Sequence, residues 1–169
     1  METLSVSDRR SAGISFLRDT KSIGELSELI VGAALVRAGY RVALPLGESQ
    51  RYDLVIEKGG VFSRVQVKTG RLRNGVILFH PYSSHSHRKG VACKPYTDQI
   101  DFFGIYCTEL GAVYLLPIAD AARLSGTLRV RPTKNGQHSQ VRWAHPYMLS
   151  AEAIPELVVG SEPIDGVTP

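Results

Sequence analysis

The stretch Tyr52-Asp53-Leu54-Val55-Ile56-Glu57-Lys58-Gly59-Gly60-Val61-Phe62-Ser63-Arg64-Val65-Gln66-Val67-Lys68 decides how the chain folds. Two β-rich runs flank a Gly-Gly pair, the signature of a two-residue hairpin turn. A turn at Gly59-Gly60 pairs Lys58 with Val61, and counting back from that pair sets Asp53 opposite Gln66. Directly opposed side chains share a face, and Lys68, two residues beyond Gln66, shares it too. That face carries Asp53, Val55, Glu57, Phe62, Arg64, Gln66 and Lys68. The other carries Leu54, Ile56, Val61, Val65 and Val67, with Ser63 its one small polar member, and is the expected core face. The hairpin therefore gathers an acid, an amide and an amine at one end. Aspartate is a poor strand former, so its place beside an apolar run calls for a reason other than propensity.

Those three groups suit metal-assisted phosphodiester hydrolysis. Mg²⁺ takes oxygen ligands, commonly one or two carboxylates completed by substrate phosphate and water. Asp53 supplies a carboxylate and Gln66 a neutral side-chain oxygen, and the backbone carbonyl of Val67 adds another. Lys68 is placed to stabilise charge on the phosphate or to orient the attacking water. Residues 21–38 (KSIGELSELIVGAALVRA) read as a helix, with Asp19 or Thr20 as its cap and Gly39 as its stop. Apolar residues surround most of its axis, which predicts burial. Glu28 shares one helical face with Gly24 and Gly32. Small neighbours there would let that face press on the sheet while Glu28 reaches the metal, with Glu25 as the alternate acid.

Working outward, Arg41–Leu44, Val76–Phe79, Phe102–Cys107 and Ala112–Leu116 read as further strands, and Ile118–Leu124 as a short helix. The segment His80–Pro95 (HPYSSHSHRKGVACKP) reads as an exposed loop. His80, His85, His87 and Cys93 fall there, but their spacing matches no zinc motif, so an exposed loop, either DNA-contacting or mobile, is the favoured reading. Thr127–Arg131 and Gln140–Trp143 read as a last hairpin around Asn135-Gly136. No nucleophile elbow and no phosphate-binding glycine loop occurs. The whole is a mixed α/β chain with one central sheet. Its organisation reads as a polar N-terminal arm (1–20), a single domain (21–145) and an acidic C-terminal tail (146–169).

A length of 169 residues fits one domain. Hydrophobic residues at 43% and charged residues at 21% allow a packed core and argue against disorder. The two cysteines, Cys93 and Cys107, are too few for a disulfide scaffold. No run approaches a membrane span, and the first residues lack an apolar signal core, so a cytoplasmic protein is expected. The net charge is only +4, but it is unevenly spread. From Val61 to Thr97 there are seven bases and no acid, and from Ala121 to Arg142 five bases and no acid. From Trp143 onward there are four acids and no Lys or Arg. Two acid-free basic segments predict a surface for a polyanion. Arg64, Arg71, Arg73, Arg88, Lys89, Lys94, Arg129, Arg131 and Lys134 are the candidate phosphate contacts.

Gly24-x-x-x-Glu28, Tyr52-Asp53 and Gln66-Val67-Lys68 together resemble the PD-(D/E)XK nuclease superfamily. The likeness is greatest to its group I intron-associated homing endonucleases and more distant to archaeal-type Holliday junction resolvases. Tyr52 stands where the name-giving proline falls, and Gln66 at the usual Asp/Glu position, as in the intron-associated subgroup. Tyr96–Pro117, with Asp101 in an Asp-Phe-Phe run, also looks like that subgroup's later strands. The resemblance implies a restriction-endonuclease-like core, an N-terminal helix packed on a central mixed β-sheet. It implies Glu28 as the helix acid, Asp53 as the main metal-binding aspartate, Gln66 beside it and Lys68 as the catalytic lysine. Tyr96 is a candidate for the site's rim. A Mg²⁺-dependent DNA endonuclease follows as the leading expectation, with Mn²⁺ as a substitute ion. Double-stranded or branched DNA is the expected substrate. One site per chain predicts a homodimer or homotetramer for a double-strand cut. The rivals are a structure-selective nuclease and a DNA-binding module that keeps the fold without the chemistry.

Overall fold

The computed structural model describes residues 19–47, 49–87, 90–122, 125–132 and 141–149. The arm up to residue 18, the tail from residue 150, Arg88, Lys89, Lys134 and the Asn135-Gly136 pair lie outside the described residues. The elements in chain order are α1 (Thr20–Arg37), β1 (Arg41–Ala43), β2 (Leu54–Lys58), β3 (Val61–Arg73), β4 (Val76–Phe79), β5 (Tyr82–His87), β6 (Gly90–Pro95), β7 (Phe102–Cys107), β8 (Ala112–Pro117) and β9 (Gly126–Arg129). Short 3₁₀ turns at Ile118–Asp120 and His145–Tyr147 complete them. Among the described residues, no helix is long and apolar enough to cross a membrane.

The expected hairpin register holds. Lys58 pairs with Val61 and Leu54 with Val65, and Gly59 and Gly60 have φ of 63° and 84°. Two successive positive φ values make the tight turn whose twist matches its strands, and glycine adopts them without strain. The long strand β3 then serves three partners. It pairs antiparallel with β2 through Val65, parallel with β7 from Val65 to Gly70, and antiparallel with β4 from Arg71 to Arg73. The seven-stranded sheet is therefore mixed: its path β1-β2-β3-β4-β9 is joined by β7 on β3 and β8 on β7.

Alternation along β3 builds a core on each side of it. Val65 and Val67 meet Val31 and Leu35 of α1, together with Leu54, Ile56, Val113 and Leu115. On the other side lie Ile77, Phe79, Tyr96, Ile100, Phe103, Ile105, Leu116 and Leu128. At about 25 cal/mol per Å² of buried apolar surface, such clusters are the main force holding helix to sheet.

Asp19 is the helix cap, its carboxylate accepting from Ser22 N–H at 2.7 Å, and Gly39 ends the helix at φ 82°. The helix is not buried all round, however. Its packed face is Ser27, Val31 and Leu35, while Leu29 is 73% exposed. Nor do its glycines make the close approach: a Cβ on Gly24 or Gly32 would meet nothing within 4 Å. The tight contact is at Gly104 of β7, where a Cβ would lie 2.6 Å from Val31 Cγ1.

Two other expectations are corrected. His80–Pro95 is not a loop but mainly a two-stranded hairpin, β5 with β6; its Ser and His content hid the strands. Residues 127–131 and 141–143 do not pair as the arms of a hairpin, because Arg129 bridges Trp143 in parallel, and Gln140 lies outside the described residues. Strand β9 pairs with β4 instead, and Gly126 leaves room there for the Phe79 ring.

Candidate active site

The β2–β3 ladder ends at Leu54↔Val65. Beyond it Asp53 keeps one backbone bond, N–H to Val65 O at 2.9 Å, and its side chain then takes over the edge of β3. Asp53 Oδ2 accepts from Val67 N–H at 2.7 Å and from the side-chain amide of Gln66. A carboxylate thus replaces a backbone carbonyl in the ladder, which explains an aspartate at a strand's mouth. The same Gln66 amide nitrogen reaches Val67 O at 3.3 Å. Burial pushes the Asp53 carboxyl above its ordinary range, against the pull of the Val67 N–H, the Lys68 charge and the Gln66 amide.

Helix α1 brings the second acid. Glu28 lines one cleft with Asp53, Gly24, Glu25 and Tyr52. Its carboxyl is also raised, first by burial and next by the Asp53 charge. Glu25 points its charge elsewhere, to Lys21 at 3.9 Å. The Asp53 charge acts on Glu28.

Lys68 follows Gln66 on the same face of β3. Its ammonium donates to Tyr96 Oη at 3.0 Å and stands 3.5 Å from Tyr82 O. It also lies 4.8 Å from the Tyr96 ring centroid, a cation–π distance. Tyr96 is buried and set edge-on against Phe103. The tyrosine thus holds the lysine from below and is not an exposed rim.

One residue escaped the sequence reading. Arg51 also stacks on the Tyr96 ring, 4.2 Å from its centroid. It also donates to Gln99 Oε1 and Ser83 Oγ, each at 2.6 Å, and to the carbonyls of Lys94 and Pro95. No local pattern marks it, since every partner is distant in sequence.

The remaining candidates separate by their contacts. Asp101 sits with Arg64, not with Asp53. It takes Arg64 Nη2 at 3.0 Å, Nε at 3.1 Å and backbone N–H at 2.7 Å, and these bonds hold its carboxyl below the ordinary value of 3.8. Arg64 thereby commits its guanidinium to an ion pair within the chain, although its side chain stays partly exposed. Arg71 donates to Thr108 Oγ1 at 2.9 Å and Arg129 to Arg131 O at 3.3 Å. Arg71, Arg73, Lys94 and Arg131 are exposed.

Among the described residues, no three His, Cys, Asp or Glu side chains converge. The oxygen donors at the site are two carboxylates, the Val67 carbonyl and the Gln66 amide. Hard oxygens of this kind fit Mg²⁺. The Gln66 amide supports that fit: its partly positive NH₂ lies between the Asp53 carboxylate and the Val67 carbonyl, a place suited to a cation.

A model of the family described as PD-(D/E)XK endonuclease matches residues 18–150. The chain belongs to that family. Protein 5.3 of Escherichia phage T7 is 46% identical over 46 residues, which are 27% of this chain and 39% of that protein's length. The structure of the bacterial homing endonuclease I-Ssp6803I is similar in fold, with a TM-score of 0.63 and 23% identity over 77% of this chain and 88% of that one.

Proposed function

We propose that this chain is a Mg²⁺-dependent DNA endonuclease of the homing-endonuclease type, hydrolysing phosphodiester bonds, with Mn²⁺ able to replace Mg²⁺. The observation that carries the reading is the contact of Asp53 with Gln66 and Val67 at the open end of the β2–β3 ladder, with Lys68 next on the strand. Asp53 and Glu28 would hold the ion, and the Val67 carbonyl would add an oxygen. The side-chain oxygen of Gln66 would complete the set. Bound there, the ion supplies Lewis acidity to the scissile phosphate and to the attacking water. Lys68, held by Tyr96, places its charge where negative charge grows on the phosphate and orients the water. Arg71, Arg73, Lys94, Arg129 and Arg131 contact the DNA backbone and fix its register without reading sequence.

Two carboxylates and a neutral amide attract cations less strongly than three carboxylates, so a single weakly held ion is expected. A chain with one site cuts one strand, and a symmetric dimer or tetramer supplies the second cut. The test is incubation of purified protein with linear, supercoiled and four-way DNA, with Mg²⁺ and with EDTA. Cutting of linear and supercoiled duplex in Mg²⁺ alone is expected. Cutting confined to four-way DNA would replace this reading with a junction resolvase. DNA binding without cleavage in either Mg²⁺ or Mn²⁺ would leave a binding module.

A further inference from the structure

Arg51 lies two residues before Asp53, on the segment that leads into β2. Asp53 is tied to β3 through Val65 O, Val67 N–H and the Gln66 amide. Arg51 is tied instead to what holds Lys68. Its guanidinium carbon stands 4.2 Å from the centroid of the Tyr96 ring, whose hydroxyl takes the Lys68 ammonium at 3.0 Å. Four of the five guanidinium N–H donors are used within the chain: Nε on Gln99 Oε1, Nη1 on Ser83 Oγ, and Nη2 on the carbonyls of Lys94 and Pro95. A planar fork with that many acceptors has little freedom and little left for a phosphate. Tyr96 also stands edge-on, at 85°, to buried Phe103. The ring is therefore fixed by Phe103 and Arg51, while the lysine, on a flexible four-carbon stem, takes its place from the ring hydroxyl.

We propose that Arg51 is a positioning residue for Lys68, acting through the Tyr96 ring on which it stacks. The inference rests on the nuclease reading above and adds to it the residue that sets the spacing between the two halves of the site. One short segment carries both Asp53, which would hold the ion, and Arg51, which fixes the tyrosine that holds the lysine. Ion and ammonium are thus placed relative to each other through residues 51–53. Stabilising growing charge needs donors already in place before the reaction, and a displacement of about 1 Å can cost about a hundredfold in rate. Arg51 acts without touching DNA. Its removal spares the bonds of Asp53 to β3, so it loosens the lysine and leaves the ion's carboxylate where it was.

The test compares wild type, Arg51→Ala, Arg51→Lys, Lys68→Ala and the double variant Arg51→Ala with Lys68→Ala in single-turnover cleavage of duplex DNA in Mg²⁺. DNA affinity in EDTA and Ca²⁺ affinity by isothermal titration are read on the same preparations. Arg51→Ala should cut about ten- to a hundredfold more slowly, with both affinities within about threefold of wild type. Arg51→Lys keeps the charge but not the fork, so it should lose most of the same rate; it stands in for Arg51→Ala, alone and in the double variant, should that protein not fold. In the Lys68→Ala background, replacing Arg51 should change the rate by no more than about twofold, since two residues acting through one group do not add. A wild-type rate in either Arg51 variant, a loss of rate matched by lost DNA or ion affinity, or losses that multiply in the double variant would overturn the proposal. A second readout needs no cleavage. In metal-free protein carrying isotope-labelled lysine, the Lys68 side chain should be rigid by NMR relaxation, and should approach the mobility of exposed Lys21 when Arg51 is replaced. A wild type that cuts nothing refutes the nuclease reading alone. The relaxation data then decide for Arg51: gained mobility of Lys68 supports its role, and unchanged mobility removes it.

Discussion

Gln66 is the residue whose chemistry separates this site from one with three carboxylates. Its amide nitrogen faces the Asp53 carboxylate and the Val67 carbonyl, so the ion-free site is neutralised from within. Gln66→Glu removes that donor and adds a charge beside Asp53. In EDTA this should destabilise the protein by about 1–3 kcal/mol, and a divalent ion should restore the loss while binding more tightly than in wild type. Thermal scans with EDTA and with Ca²⁺, joined to isothermal titration, read both effects; sequential tight binding of two ions to the wild type would contradict the single-ion expectation. Asp101 offers a test in pH. Its bonds to Arg64 hold its carboxyl below 3.8, so the pair's contribution is present above the unfolded value and is lost as pH falls through the lowered folded value. Asp101→Asn should therefore lower the melting temperature at pH 7, with the gap from wild type closing below about pH 4; a gap that is constant with pH would refute the ion pair's role. The acid, amide and lysine were legible because hairpin register follows from a turn that only glycines take easily. Arg51 and the Asp101–Arg64 pair were not, because their partners are brought near by the tertiary fold and leave no trace in local spacing.

Glycine placement gives the test for the elements. The Gly24/Gly32 face of α1 suggested close packing, yet nothing stands within 4 Å of a Cβ built at either position. Helix periodicity shows which residues share a face, but not which face a sheet will cover. Gly24→Ala should stabilise the protein by about 0.5–1 kcal/mol, the usual gain of alanine over glycine inside a helix. Gly104→Ala should instead cost about 1–3 kcal/mol, since its new methyl would meet Val31 Cγ1 of the helix and Val65 Cγ1 of β3. Denaturant unfolding of the two variants measures both; a destabilising Gly24→Ala would return the helix glycines to a packing role. The hairpin β5–β6 stayed hidden for a related reason. Its strand pairing is stabilised at the root by Arg51, outside the segment itself, while its own residues have the composition of a loop.

For the whole molecule, charge and chemistry converge on one assembly. The first basic segment contains Gln66 and Lys68 and the second follows it in the chain, α1 brings Glu28 to the open end of the β2–β3 ladder, and Tyr96 supports Lys68. The most direct measurement is single-turnover cleavage of duplex DNA by Lys68→Ala, with DNA affinity read on the same preparation. Cutting should fall by about two orders of magnitude or more while affinity stays within about threefold, since Lys68 is one cation among many. Cleavage at the wild-type rate would show that the hydrolytic centre lies elsewhere.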